Sequence, residues 1–112
     1  MANEPPTLFA PGRRQSDETL RREAQSIESH GFFAQLLDLL GEAVLVLNET
    51  RQIVFANRTA LELVGPDPVD ALGQRPGELL HCIHAPEGPS GCGTSHACQL
   101  CGAVQAVLES QR

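Results

Sequence analysis

Ile53-Val54-Phe55-Ala56-Asn57-Arg58-Thr59-Ala60-Leu61-Glu62-Leu63-Val64-Gly65 is the stretch on which the fold turns. Its first four residues are β-branched, aromatic or small, with Ile53 and Phe55 on one face of a period-two pattern, so they predict a strand. Asn57 then supplies a side-chain oxygen for the free N–H groups of a helix start. Ala60, Leu61 and Val64 repeat at helical spacing, and Gly65-Pro66 stops the helix. Just upstream, Ala43 to Leu47 is a second short apolar run. The polar Asn48-Glu49-Thr50-Arg51 between the two runs makes them a hairpin. Further out, Phe33, Leu36, Leu37 and Leu40 fall at i, i+3, i+4 and i+7, the stripe of an amphipathic helix that Gly41 ends.

Downstream of Val64, Asp67-Pro68 opens a short helical turn that Gly73 closes. Residues 74–97 hold Pro76, Gly77, Pro86, Gly88, Pro89, Gly91 and Gly93, a density of breakers that rules out long elements. Leu100, Val104 and Val107 mark one face of a last helix, with Thr94 or Ser95 as its cap. At the other end, residues 1–15 read as a disordered leader carrying Pro5, Pro6, Pro11 and Gly12. From Ser16 to Ser29 the composition favours a helix with little apolar content. Residues 1–30 therefore read as a disordered or partly helical leader, and residues 31–112 as the domain.

The order of hairpin, Asn-led helix and short Gly-terminated helix, carried by residues 53–65 and then by Asp67 to Gly73 with Gln74-Arg75-Pro76, resembles the early part of a PAS domain. The helix over residues 32–40 resembles the flanking helix before many such domains. The resemblance covers residues 35–110 and implies an α+β fold of N-terminal helix, β-hairpin and short helices. A PAS domain closes with three more antiparallel strands, whereas this chain ends at Arg112 within its last helix. The expected fold is therefore PAS-like but truncated before those strands. The resemblance also implies a signal-sensing, regulatory module rather than an enzyme, paired as a homodimer or covalently linked to an output domain such as a histidine kinase.

Size and charge narrow the classes further. The 112 residues suffice for one domain of ordinary size. No window approaches the ~18 apolar residues of a membrane span, and the N-terminus lacks the pattern of a secretory signal, so a cytoplasmic location is expected. The net charge is −6 and all eight basic residues are Arg. Arg13, Arg14, Arg21 and Arg22 are interleaved with Asp17, Glu18, Glu23 and Glu28, and the chain has no Trp or Tyr. Neither a basic face nor an aromatic platform exists for nucleic acid.

The chemistry-bearing stretch is His81-Cys82-Ile83-His84, then Gly91-Cys92-Gly93, then Cys98-Gln99-Leu100-Cys101-Gly102. All four cysteines lie in this segment, residues 81–102. Reduced cytoplasmic thiols so clustered point to metal binding or redox sensing. A C-x-x-C pair lets two thiolates chelate one ion, and Cys82, Cys92 or His84 completes a tetrahedral shell. The candidate cofactor set is therefore Cys82, Cys92, Cys98 and Cys101, with His84 as an additional metal ligand. Four thiolates suit an iron–sulfur cluster or zinc, while a His84 ligand favours zinc. Sensor-kinase PAS proteins with a Cys-rich insert before the last helix resemble this stretch, and the resemblance implies an iron–sulfur cluster or another metal. The spacing matches no ferredoxin or zinc-ribbon pattern. His81-Cys82-Ile83-His84 lacks the Asn, Arg and Gln of the flavin-binding light-sensing motif, Cys101 is followed by Gly102 rather than the His of covalent haem attachment, and nothing supports a non-covalent haem on His84 or His96. The resulting expectation is a redox, oxygen or small-molecule sensor acting through the four cysteines. A zinc-stapled interaction module and a thiol–disulfide oxidoreductase using Cys98 and Cys101 are the alternatives.

Overall fold

The computed structural model describes residues 4–64, 71–80 and 82–111. The stop expected at Gly65-Pro66, the cap expected at Asp67-Pro68 and the side chain of His81 lie outside the described residues. The chain forms two compact units. One comprises the described residues of 15–48 and 52–74; the other comprises residues 4–14, 49–51, 75–80 and 82–111. The architecture is α+β, with helices and one two-stranded antiparallel sheet among the described residues.

The first unit carries α1 (Asp17–Glu28), α2 (Gly31–Leu39), β1 (Leu45–Leu47), β2 (Ile53–Ala56) and α3 (Arg58–Val64). α1 starts where Ser16 accepts a hydrogen bond from the Thr19 N–H, and Asp17 and Glu18 sit on the positive end of its dipole. It packs against β2 and α2. Its buried residue is Leu20, whose Cδ1 stands 3.0 Å from where a Cβ on Gly73 would be. Residues 17–28 are thus a helix that has packing partners.

The hairpin pairs Leu45 with Ala56, Val46 with Phe55 and Leu47 with Ile53, with an irregularity between Val46 and Leu47. Asn48 closes it by exchanging backbone and side-chain bonds with Gln52: the Asn48 N–H donates to the Gln52 carbonyl at 3.0 Å, and the Gln52 N–H donates to Asn48 Oδ1 at 2.9 Å. This is the polar turn expected from residues 48–51. Among the described residues, Ile53 and Val54, with Leu20, Ala60 and Ala71, are the buried apolar side chains of the unit.

Asn57 does more than cap a helix. Its Oδ1 accepts from the Ala60 N–H at 3.0 Å, as expected of the N-cap, and also from the Val44 N–H at 2.9 Å. Its Nδ2 donates to the Leu37 and Glu42 carbonyls, at 2.9 and 2.7 Å. One fully buried amide therefore joins the end of α2, the approach to β1 and the start of α3. Asp38 completes that start by accepting from the Arg58 N–H at 2.7 Å. Gly41, at φ +72°, follows the end of α2 as expected.

The second unit has α4 (Pro76–Leu79), a 3₁₀ turn (His96–Leu100) and α5 (Gly102–Ser110). Long elements are absent between residues 74 and 97 among those described, as the breakers predict. The last helix starts later than expected. Ser95 caps the 3₁₀ turn by accepting from the Ala97 N–H at 3.0 Å, and Cys101 is extended at φ −78°, ψ 115° before α5 begins. That break removes Leu100 from the face shared by Val104 and Val107, and Leu100 is 89% exposed while Val104 is buried. Residues 7–14 make long-range backbone contacts. The Leu8 and Ala10 N–H groups donate to the Thr94 and Gly93 carbonyls at 2.8 and 2.9 Å, and Ala10 is buried against Cys98 and Val104. The residue that gives this segment its place is distant in sequence: Arg75 collects the carbonyls of Pro11 and Arg13.

Candidate functional site

The densest chemistry in the molecule lies in the second unit, around two buried guanidinium groups. Arg75 precedes Pro76, which is restricted to the first turn of α4 by its missing N–H. Its side chain is fully buried and solvated by backbone. Nε donates to the Thr50 carbonyl at 3.1 Å, Nη1 to Ser90 and Cys92 at 3.3 and 3.4 Å, and Nη2 to Pro11 and Arg13 at 3.4 and 2.7 Å. Arg51 lies beside it in charge terms, donating to the Pro11 carbonyl at 2.9 Å and to the Cys92 carbonyl at 3.1 Å. Arg51 adopts φ +65°, a left-handed conformation that costs a non-glycine residue about 1–2 kcal/mol. Its two carbonyl partners hold it there.

Glu78 is the carboxylate that binds into this group. It forms an ion pair with Arg14 and accepts from the Arg75 N–H at 2.9 Å and the Cys92 N–H at 3.3 Å. Burial would raise its pKa, but the hydrogen bonds from Arg14 and the two backbone N–H groups, with the Arg14 charge, hold it below the ordinary carboxylate range. Arg75 is pushed down to about 10, first by burial and then by the charges of Arg51 and Arg14, against the pull of Glu78 and Cys92. Burial lowers Arg51 as well. The arginines thus sit where their charge is solvated by carbonyl dipoles more than by opposite charge.

Cys92 is the thiol held in this setting. Gly91 and Gly93 flank it, both at φ +90°, a region that side chains with a Cβ rarely adopt. Cys92 is half-buried, and burial raises the pKa of its thiol. An N–H from Gly77 on the sulfur and the charge of Arg51 act in the opposite direction, while Glu78 and Cys98 add to the rise. At neutral pH Cys92 is accordingly a thiol.

The other sequence-selected residues occupy different surroundings. Cys82 is exposed, its N–H donating to the Gly77 carbonyl at 2.7 Å. Cys98 is buried in an apolar cluster with Ala10 and Val104, and Cys101 packs against that cluster. The Cys101 N–H donates to the Cys98 carbonyl at 3.1 Å, so the C-x-x-C segment is a single turn, as its spacing implies. His84 Nδ1 pairs with Glu87 Oε1 at 2.6 Å and is half-exposed. Among the described residues no group of three or more His, Cys, Asp or Glu side chains is placed to hold a metal ion. In this arrangement Cys98 packs among apolar side chains and His84 pairs with Glu87. Sequence reasoning missed the arginines altogether. Their signal is long-range carbonyl contacts and, at Arg51, a positive φ, neither of which has a local pattern.

The second unit, with residues 49–51, α4 and the 3₁₀ turn, and the Asn57-centred hairpin and helices of the first unit fall largely within one continuous stretch. The sequence model of the PAS domain matches residues 31–99. The chain belongs to the PAS domain family. The match takes in α2, the hairpin, α3, α4, both guanidinium donors of the site, and Cys82, Cys92 and Cys98; it leaves α1 and α5 outside. Neither the comparison with curated proteins nor that with solved structures returned a match. PAS domains are as a class sensory rather than catalytic, so the chain carries a signal-sensing or regulatory module. No helix among the described residues is long and apolar enough to cross a membrane.

Proposed function

We propose that this PAS domain is the cytoplasmic input module of a signal-transduction protein and reads redox state through the cysteines of residues 82–101. The observation that carries this reading is the placement of Cys92. Its thiol projects from a glycine-flanked turn, its carbonyl is held by Arg51 and Arg75, and its N–H is held by Glu78. A covalent change at this sulfur therefore acts on a residue to which the buried arginines are attached, and local chemistry acquires a structural consequence. Oxidation is the covalent change that clustered thiols undergo most readily. The output is a dimer partner or a linked domain. The apolar side chains that α2 leaves exposed, Phe32 at 80% and Leu39 at 81%, support such a partner.

A second reading rests on the first unit. Ile53, Val54, Phe55, Ala56, Leu61, Ala71 and Leu72, with Ala24 and Glu28 from α1, line an open hollow of about 320 Å³. Its apolar wall and single carboxylate suit a small apolar ligand with one donor group.

The chain should be purified without oxygen, analysed for metals and its absorption spectrum recorded, then titrated with oxidant while free thiols and thermal stability are followed. Loss of thiols with a shift in stability supports the redox reading, in a metal-free chain as a dithiol device. Iron and sulfide that bleach in air support it through an iron–sulfur cluster. One zinc per chain, colourless and insensitive to oxidant, replaces it with a zinc-stapled interaction module. Catalysed reduction of an added disulfide that requires Cys98 and Cys101 replaces it with an oxidoreductase.

A further inference from the structure

Cys82 and Cys92 meet over a glycine. A Cβ built on Gly77 would lie 2.7 Å from Cys92 Sγ, 3.3 Å from Cys82 Cβ and 3.4 Å from Cys92 Cβ. The first separation is impossible for a real side chain, so only glycine lets the Cys92 sulfur occupy this place. The other two cap the Cβ–Cβ distance between the cysteines at about 7 Å, against about 3.5–4.5 Å in a disulfide. Gly91 and Gly93, on either side of Cys92, give the turn the freedom to close that gap. The remaining two thiols are engaged elsewhere, Cys98 inside the apolar cluster with Ala10 and Val104 and Cys101 against it.

We propose that Cys82 and Cys92 are an oxidation site in which a hydroperoxide closes a disulfide across Gly77. This rests on the redox reading above and assigns it a pair of residues and a class of oxidant. Cys82, the exposed thiol, meets the oxidant first. Its thiolate attacks the terminal oxygen of the hydroperoxide; the O–O bond breaks, water or an alcohol departs with a proton, and the sulfur becomes a sulfenic acid. The Cys92 thiolate then attacks that sulfur. The S–S bond forms, and the hydroxide that leaves takes a proton to become water. Two thiols lose two electrons and two protons in all, and the peroxide receives both.

The Gly77 N–H on the Cys92 sulfur and the charge of Arg51 favour the attacking thiolate, whereas burial, Glu78 and Cys98 oppose it. The second step is therefore faster in alkali. Closure also draws on the residue whose carbonyl holds Arg51 at 3.1 Å and Arg75 at 3.4 Å, so the bond pulls on the buried guanidinium network.

The test treats the reduced full chain with equimolar hydrogen peroxide, blocks free thiols and cuts after glutamate. Cleavage after Glu78, Glu87 and Glu109 separates Cys82, in residues 79–87, from the other three cysteines, in residues 88–109. The expected result is loss of two of the four free thiols and a linked pair of these peptides whose fragments place the bond on Cys92. Cys82→Ser should abolish the link, and Gly77→Ala, which drives a Cβ into the Cys92 sulfur, should slow it several-fold. A bond from Cys82 to Cys98 or Cys101, or one within residues 88–109, overturns the pairing while leaving the redox reading in place. Retention of all four thiols under excess peroxide overturns both.

Discussion

The two units solve the same problem, how to order a short chain with few large side chains, by different means. The first uses apolar burial and one amide: Leu20, Ile53, Val54, Ala60 and Ala71 are buried, and Asn57 ties three backbone segments together. The second has a small apolar cluster, Ala10, Cys98 and Val104, and is organised by guanidinium groups that collect carbonyls from residues far apart in the chain. An apolar core tolerates partial loss, because each methylene contributes on its own. A buried polar network does not, since one guanidinium serves several carbonyls and all of its bonds are lost together when it is removed. The second unit is thus the more brittle and the better suited to convert a local covalent change into a structural one.

The sharpest way to break this contrast is Arg75→Met. With five hydrogen bonds lost, one of them buried and four part-buried, the expected cost is about 3–5 kcal/mol, read as a fall in the urea midpoint. Hydrogen exchange should rise first at the Leu8 and Ala10 amides, which bond to Thr94 and Gly93. A change below about 1 kcal/mol would mean that the carbonyls are solvated without Arg75.

Asn57→Ala tests the other side. Loss of the cap, together with the bonds donated to the Leu37 and Glu42 carbonyls, should cost about 2–4 kcal/mol. Asn57→Asp should cost at least as much, because it keeps the acceptor of the cap but sets a buried carboxylate oxygen against the Leu37 and Glu42 carbonyls in place of a donor.

Arg51 separates backbone strain from hydrogen bonding. Both Arg51→Ala and Arg51→Gly lose the bonds to Pro11 and Cys92, but glycine takes φ +65° freely. The glycine variant should therefore be the more stable of the two by about 1 kcal/mol in thermal unfolding. Equal stabilities would show that the turn relaxes when the guanidinium is removed.

The smallest effect is a pH dependence. Glu78 has a folded pKa below its ordinary value, so it contributes stability at neutral pH that is lost as pH falls through the folded pKa. Glu78→Gln should flatten the acid limb of the stability–pH curve, by under about 1 kcal/mol because the ion pair with Arg14 is partly exposed. An unchanged acid limb would assign that limb to other carboxylates.

Much of the first unit was legible in the sequence because its elements are local. The strand at Ile53–Ala56, the cap at Asn57, the polar turn after Leu47 and the glycine at 41 each act within a few residues and appear where expected, although Ile53 and Val54 rather than Ile53 and Phe55 are the buried pair. α2 was legible as a helix but not as one that leaves Phe32 and Leu39 in solvent. The candidate site was legible only as a set of cysteines. Their spacing holds nothing of their burial, which places Cys98 among apolar side chains and Cys82 at the surface. Side-chain direction and burial depend on what the rest of the chain packs against, and spacing holds no record of it.

By itself the sequence determined the hairpin, the Asn-led helix and the broken Gly- and Pro-rich segment, because strand period, capping and backbone restriction are properties of neighbouring residues. Tertiary structure alone decided that Arg75 is buried, that Arg51 is held in a left-handed conformation, that residues 7–14 are ordered and that Cys82 and Cys92 share the face of Gly77. These are contacts between residues as many as 86 positions apart, as Leu8 and Thr94 are. They exist only once loop closure has been offset by many bonds made together, and no local pattern encodes that sum.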